Sequence, residues 1–412
     1  MLSNVKLTRT IVKMQVFLCL LFCILANHAC RMKDLYLRVD DINITIAVYD
    51  VRLDLLWGVG WKTEWLYTWD EAAADFGPLG YTKPEYVKGT IYNVNPETLK
   101  RFSSFNKIFN SDGGRVSLTT GATYDMLFYN FGTEWTSFNQ ADDYESYIAT
   151  TRKSSQSSWI RTQAESQSSD KPAGSKSYID YNQPDELFGT LVTGLVISDD
   201  PQYYDKEVDD NGNITYIYKI DANLRPYSFI YVFQIILLNN YDNEGIRVTG
   251  GRGITVTGLS QGVDLFTRKT LSSTVSLTTD DVKPLQHKKN VKLENGQVAD
   301  SADVFAVRML TWGLPECDIL ELSTKASKAA MVDDNYIGIG LSLRNGATYT
   351  VTRNITDVMH NEKPAGGIIT IYIDSSQIPS SAFEKQKPSS GGGGFNASVE
   401  DWADEVNAEV VI

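Results

Sequence analysis

The stretch Tyr336-Ile-Gly-Ile-Gly-Leu-Ser-Leu-Arg-Asn-Gly-Ala-Thr-Tyr-Thr-Val-Thr352 decides the fold class. Ile337, Ile339, Leu341 and Leu343 stand at alternate positions, so a strand over Tyr336 to Leu343 carries them on one face. Asn345-Gly346 supplies a tight turn, and Thr348 to Thr352 returns with Tyr349 and Val351 facing inward. The pattern is a β-hairpin with one apolar face, and it continues in both directions along the chain.

Downstream, Ile368 to Asp374 reads as a further strand. Upstream, Val304 to Thr311 puts Phe305, Val307 and Met309 on one face, and Tyr227 to Leu238 is apolar on both parities, as expected of a strand covered on both sides. In the first half, Arg52 to Trp57, Val87 to Tyr92, Gly114 to Thr119 and Tyr124 to Phe131 read as strands, with Asp112-Gly113-Gly114 as a turn. Helical spacing of apolar residues is nearly absent. Short strands separated by turn residues imply an all-β protein built as two sandwiches rather than a βαβ fold. Ser154 to Lys176 holds eight serines and little that can enter a core, so it reads as a loop. Past Pro379, Pro388-Ser-Ser-Gly-Gly-Gly-Gly394 is a flexible linker. It leads to an acidic tail, Phe395 to Ile412, in which Val406, Ala408, Val410 and Ile412 alternate as on one strand face. Such a strand can pair with its own domain or with another molecule.

The N-terminus sets the compartment. Lys6, Arg9 and Lys13 precede an apolar run from Val16 to Ala26, and Ala29-Cys30 comes next. This is a charged n-region, a short h-region and a small residue before a cut, the layout of a secretory signal. The run is shorter than the ~18 apolar residues needed to span a bilayer. Cys30 after Ala29 has the look of a lipobox, with the cysteine as lipid-attachment site; a plain secretory signal is the other reading. Removing residues 1–29 takes away three basic residues and no acidic one, so the net charge of −13 becomes −16.

That charge, with 51 acidic residues against 38 basic ones and no basic stretch beyond Lys283 to Lys292, argues against nucleic acid as a partner. Three of four cysteines lie in the first 30 residues, which leaves Cys317 alone in the body, and the chain has three histidines. Neither a disulfide framework nor a zinc cluster can be built from that inventory, so no metal or cofactor is expected.

Three motifs test for chemistry. Gly258-Leu259-Ser260-Gln261-Gly262 matches the nucleophile elbow, but that motif requires a strand-to-helix turn. Here Val263 to Phe266 and Ser272 to Thr279 read as further strand and loop, so no catalytic residue is assigned and the protein is expected not to be an enzyme. Asp209-Asp210-Asn211-Gly212-Asn213 is rich in oxygen ligands but has Ile220 where a calcium loop places its closing glutamate, so it reads as a hairpin turn. Trp57, Trp61, Trp65 and Trp69 recur every four residues. They form either a shelf for stacking sugars or a local cover over the core.

Taken together, Cys30, the strand ending at Trp57, Asp112-Gly-Gly-Arg-Val-Ser-Leu-Thr-Thr-Gly-Ala-Thr-Tyr-Asp-Met-Leu-Phe-Tyr-Asn130, Arg225-Pro-Tyr-Ser-Phe229, Gly251-Arg-Gly-Ile-Thr-Val-Thr-Gly-Leu-Ser-Gln-Gly262 and Gly394-Phe-Asn-Ala-Ser-Val-Glu-Asp-Trp402 resemble the fimbrillin-like lipoproteins of Bacteroidetes, in a branch similar to the minor and anchor subunits of type V fimbriae. The resemblance implies two tandem transthyretin-like Greek-key β-sandwiches with a short C-terminal strand-like tail. The expected division is a lipoprotein signal at 1–29, sandwiches at 30–205 and 206–380, and the linker and tail at 381–412. It also implies an outer-membrane, cell-surface lipoprotein held by lipidated Cys30, with fimbrial subunits as partners through strand exchange and host or bacterial surface molecules as ligands. Stalk subunits of this kind are cut after an arginine near the N-terminus, for which Arg38 and Arg52 are the candidates. The other functional reading is a glycan-binding lipoprotein of a polysaccharide-uptake system, using the four tryptophans.

Overall fold

The computed structural model describes residues 48–57, 81–154, 180–198, 200–212, 214–293, 296–319, 334–362, 365–384 and 410–411. The compact unit that holds them runs from Val48 to Ile412 and is all-β, as the alternation predicts. In the first half the strands are β1 (Val48–Trp57), β2 (Tyr86–Val94), β3 (Arg101–Asn110), β4 (Gly114–Ser117), β5 (Thr123–Asn130), β6 (Thr136–Gln140), β7 (Tyr147–Thr151), β8 (Asp180–Tyr181), β9 (Phe188–Val196) and β10 (Asp205–Val208). The second half adds β11 (Ile214–Pro226), β12 (Phe229–Leu238), β13 (Tyr241–Asp242), β14 (Gly245–Ile246), β15 (Val248–Ser260), β16 (Gly262–Asp264), β17 (Lys269–Thr270), β18 (Thr274–Thr279), β19 (Gln286–Lys292), β20 (Val298–Thr311), β21 (Tyr336–Leu343), β22 (Thr348–Asn354), β23 (Gly367–Asp374) and β24 (Val410–Val411).

The first layers follow the order β3-β2-β5-β9-β11-β1-β4, with β10 also on β11. β9 and β11 meet through only two residue pairs, Phe188 with Pro226 and Gly189 with Arg225. The path therefore folds over at that point and encloses a core. Val87, Ile91, Met126 and Phe128 from one side pack with Val116, Ile220, Ala222 and Leu224 from the other. Pairing carries these layers to Pro226, past the expected division at residue 206.

Two five-stranded sheets, β19-β20-β12-β23-β24 and β22-β21-β15-β18-β8, form the second set of layers. Phe233, Ile235 and Leu237 of β12 and Phe305 and Val307 of β20 pack with Ile254, Val256, Ile337, Ile339 and Leu341 from the facing sheet. All of β12 from Phe229 to Leu237 is buried, as its two apolar parities require, and Ile236 on the other parity joins Val291, Ala302, Val304 and Ala306. Each fully buried Phe, Ile or Leu here contributes roughly 1.5–3 kcal/mol of transfer free energy.

β21 and β22 form the hairpin read from the sequence, in register from Tyr336–Asn354 to Ser342–Thr348. Its loop is a three-residue connection: Gly346 N–H donates to Leu343 O at 2.9 Å and Leu343 N–H to Ala347 O at 2.8 Å. Gly346 takes φ 83°, the left-handed position such a loop needs after its turn. Tyr349 and Val351 are both buried.

A small sheet, β17-β16-β7-β6, adds Tyr147, Ala149 and Val263 to the second core, where they meet Tyr92 and Tyr129 from β2 and β5. The Tyr129 and Tyr147 hydroxyls are 2.5 Å apart, and the Arg101 guanidinium lies 4.0 Å from the Phe266 ring centre while its Nε donates to Asp125 Oδ2 at 2.8 Å. Cys317 is buried, in keeping with a core role. Among the described residues no helix is long and apolar enough to cross a membrane, which says nothing of strands.

Candidate functional site

β1 and β24 stand at the two ends of the Val48–Ile412 unit. β1 is seated inside a sheet: it pairs in parallel with β11 over its whole length, from Val48–Thr215 to Trp57–Leu224, and antiparallel with β4 from Asp50–Ser117 to Leu53–Gly114. β11 alternates, with Ile220, Ala222 and Leu224 buried and Lys219, Asp221 and Asn223 exposed. The β1 residues in register with the buried row are Leu53, Leu55 and Trp57. Arg52, one of the two arginines considered for cleavage, is in register with Lys219 on one neighbour and Arg115 on the other. Removing β1 would leave two strands with unmet backbone donors and acceptors, the kind of edge that accepts a strand from another chain.

At the other end, Val410 and Val411 form β24, antiparallel to β23 through Ile371–Val410 and Thr370–Val411. The tail thus pairs within its own chain in this structure. β23 is held on its other side by eight parallel pairs with β12, from Tyr231–Gly367 to Leu238–Asp374, so β24 caps an edge that the rest of the sheet already fixes. Val406, Ala408 and Ile412 lie outside the described residues, as do Cys30, Arg38, Trp61, Trp65 and Trp69; Trp57 is described only as the last residue of β1.

The remaining motifs resolve into structure. Ser260 ends β15 fully buried, within 2.9 Å of both Gly262 O and Leu271 O, and is succeeded by β16 rather than a helix. Gly258 serves a bulge: β15 shifts register between Val256 and Leu259, and Asn335 Nδ2 donates to Thr257 O at 2.8 Å. Asp209 to Gly212 turns the chain from β10 into β11, with Gly212 N–H donating to Asp209 O at 2.9 Å. No group of three or more metal-ligating side chains occurs among the described residues.

Two constellations had no clear signal in the sequence. The first is a clamp on the segment that leads to the tail. Arg247 Nε donates to Ser375 O and its Nη2 to Ile378 O, both at 2.9 Å, and Asn345 Nδ2 donates to Ala382 O at 3.0 Å. Phe383 sits against both guanidiniums, 4.5 Å from Arg247 and 4.9 Å from Arg344. The second is a buried carboxylate, Asp303, where the apolar row Met309, Val307, Phe305 would call for another hydrophobe. The break in that row is the only trace it leaves in the sequence.

No protein-family model and no curated protein matches this chain. Among solved structures it is similar to a candidate adhesin from Bacteroides ovatus (15% identity, 85% of this chain and 97% of that one, TM-score 0.42). It is also similar to a fimbrial anchor protein from Porphyromonas gingivalis (7% identity, 79% and 91%, TM-score 0.35). A third is a fimbrial assembly protein from Parabacteroides distasonis (12% identity, 80% and 93%, TM-score 0.29).

Proposed function

We propose that this protein is a non-enzymatic cell-surface lipoprotein that serves as an accessory, anchor or tip-type subunit of a fimbria-like assembly and acts in adhesion. The observation that carries the reading is the placement of the strands at the unit's two ends. β1 lies between β11 and β4, and β24 sits on the outer edge of β23. Each stands at one end of the Val48–Ile412 unit, so each can be exchanged for an equivalent strand of a neighbouring subunit without breaking a loop inside that unit.

In this reading the signal at 1–29 directs export, Cys30 carries the lipid that holds the protein on the outer membrane, and the tail after the Gly391 to Gly394 tether reaches the neighbour. Two tandem Greek-key sandwiches are the repeating body. Cleavage at Arg52 needs β1 to leave its ladder first, because that residue is paired on both sides; Arg38 precedes the strand. An anchor keeps its lipid and is not cut.

The test is removal of residues 395–412. Assembly with partner subunits should fail while the monomer keeps its near-ultraviolet spectrum and melting temperature; assembly at the level of the full chain would sink the strand-exchange reading. In parallel, Cys30→Ala should release the protein from membranes, and retention would remove the lipid from the account.

A further inference from the structure

The end of the second core holds a built polar site that the assembly reading does not use. Asp303 is 2% exposed, and both its oxygens are engaged: Oδ1 lies 2.8 Å from His287 Nδ1, and Oδ2 accepts from Asn240 Nδ2 at 2.7 Å. Asn240 is fixed in turn, since its Nδ2 also donates to Val248 O at 2.9 Å and its Oδ1 accepts from Val248 N–H at 2.8 Å. A buried carboxylate is costly unless donors satisfy it. Its chief effect here is to set the orientation of the imidazole. With Nδ1 turned to Asp303, Nε2 points away from it, and the His287 side chain is 41% exposed.

His287 borders a cleft of about 700 Å³ between the end of β12 and the β19–β20 hairpin. Tyr241 stands at its wall, 55% exposed, with its ring perpendicular to the His287 ring at 5.9 Å between centres. Leu293 gives an apolar patch, while Asn239, Gln297 and Asp300 bring amide and carboxylate groups. Among the described residues no Lys or Arg lines the cleft, whereas two carboxylates do, so a phosphate, sulfate or acidic sugar meets the wrong charge. A purely apolar ligand would shield the exposed Asp300 carboxylate from water without offering it a hydrogen bond.

We propose that this cleft binds a neutral carbohydrate, with a sugar face on Tyr241 and ring hydroxyls on His287 Nε2 and the surrounding amides and carboxylate. One aromatic face beside several neutral hydrogen-bonding groups suits a ring that is apolar on one side and polyhydroxylated at its edge. This gives the adhesive surface a defined contact point that is independent of strand exchange and of the four tryptophans.

The chain's three histidines, His28, His287 and His360, make the imidazole nitrogens a sparse reporter. Cellotetraose, mannotetraose, xylotetraose and chitotetraose are added separately to the full chain while long-range proton–nitrogen spectra follow the rings; inorganic phosphate is the counter-probe. At least one sugar should move His287 Nε2 saturably at up to ~10 mM, about ten times a dissociation constant of 1 mM, and leave buried His360 unmoved. Tyr241→Ala, on an exposed ring, should keep the melting temperature and weaken that binding at least ~10-fold. The proposal is overturned if no sugar moves His287, if binding survives Tyr241→Ala, or if phosphate binds there and the sugars do not. None of these results bears on tail-dependent assembly, so the two readings stand or fall separately.

Discussion

Arg344 grips Asp242 with one nitrogen: Nη1 donates to Oδ1 at 2.6 Å and to Oδ2 at 2.7 Å, and Arg247 Nη1 adds a third contact to Oδ2 at 2.9 Å. The pair joins the β13–β14 turn to the β21–β22 loop. Because Arg247 also bonds Ser375 O and Ile378 O, it fixes the chain just before the linker as well. The Arg344 hydrogen bond, helped by the Glu244 N–H and Arg247, lowers the Asp242 pKa from 3.8 to about 2.

A depressed carboxylate pKa gives a signed pH dependence. The stability it contributes is complete above pH 3.8, the ordinary value, and is lost as pH falls through about 2. Asp242→Asn should therefore melt below the wild type at pH 5 and above, and the gap should close between pH 4 and pH 2. Melting temperatures of both chains across that interval check this; a gap that stays constant to pH 2 would show that the charge is not its source.

The clamp makes a second, local prediction. Arg247→Ala removes two charge-assisted bonds to carbonyls and the stacking on Phe383, a loss of about 2–4 kcal/mol from a side chain that is 13% exposed. Amide exchange should accelerate first in Ser375 to Glu384, ahead of β23. Lysine at this position cannot reproduce a fork that serves two carbonyls and a carboxylate, so Arg247→Lys should recover less than half of the loss.

The features legible in the sequence are the local ones. Period-two alternation locates β21, β22 and β23 within a few residues of their ends and the C-terminal part of β20, whose first six residues it misses; a run apolar on both parities locates β12, and Asn345-Gly346 marks the turn between β21 and β22. β11 is not singled out by the sequence reading although Ile214, Tyr216, Tyr218, Ile220, Ala222 and Leu224 alternate along it, with Ile217 on the other parity; its parallel partner β1 lies more than 160 residues away, with no local pattern to announce the pairing. Asp303 and His287 read as ordinary polar residues, because only the cross-strand register of β19 and β20 sets them face to face. The Gly-x-Ser-x-Gly spacing around Ser260 does not specify the element on its C-terminal side, and in the fold that element is the strand β16. Cys30, the four tryptophans apart from Trp57 and most of the tail fall outside the described residues.

Gly258 offers a test of why that spacing is there. Its φ is +74°, and a Cβ would sit 2.8 Å from Asp334 O and 2.9 Å from Asn335 Nδ2. Gly212 has φ +82° with nothing within 4 Å. Gly212→Ala should therefore lose only the left-handed backbone term of roughly 1–2 kcal/mol, and Gly258→Ala that amount plus a backbone overlap, for a total of at least ~3 kcal/mol. Urea unfolding of the two variants separates them; equal losses would mean the bulge yields to admit the methyl group.

The seat of β1 gives the most demanding prediction. A chain that begins at Gly58 lacks a strand paired at ten positions with β11 and at four with β4. Ladder groups of both neighbours are then unmet, and the buried row of Ile220, Ala222 and Leu224 loses its neighbour in the sheet. An exposed edge of that length is a template for any strand that can match it, so the shortened chain should leave the monomer position in size-exclusion chromatography. Added peptide Val48–Trp57 should restore the monomer, and a peptide of the same composition in scrambled order should not, since register with Ile220 and Leu224 decides the fit. A shortened chain that stays monomeric, with an unchanged melting temperature and no peptide bound, would mean that β1 is ornamental to the sheet and that exchange at this site has no driving force.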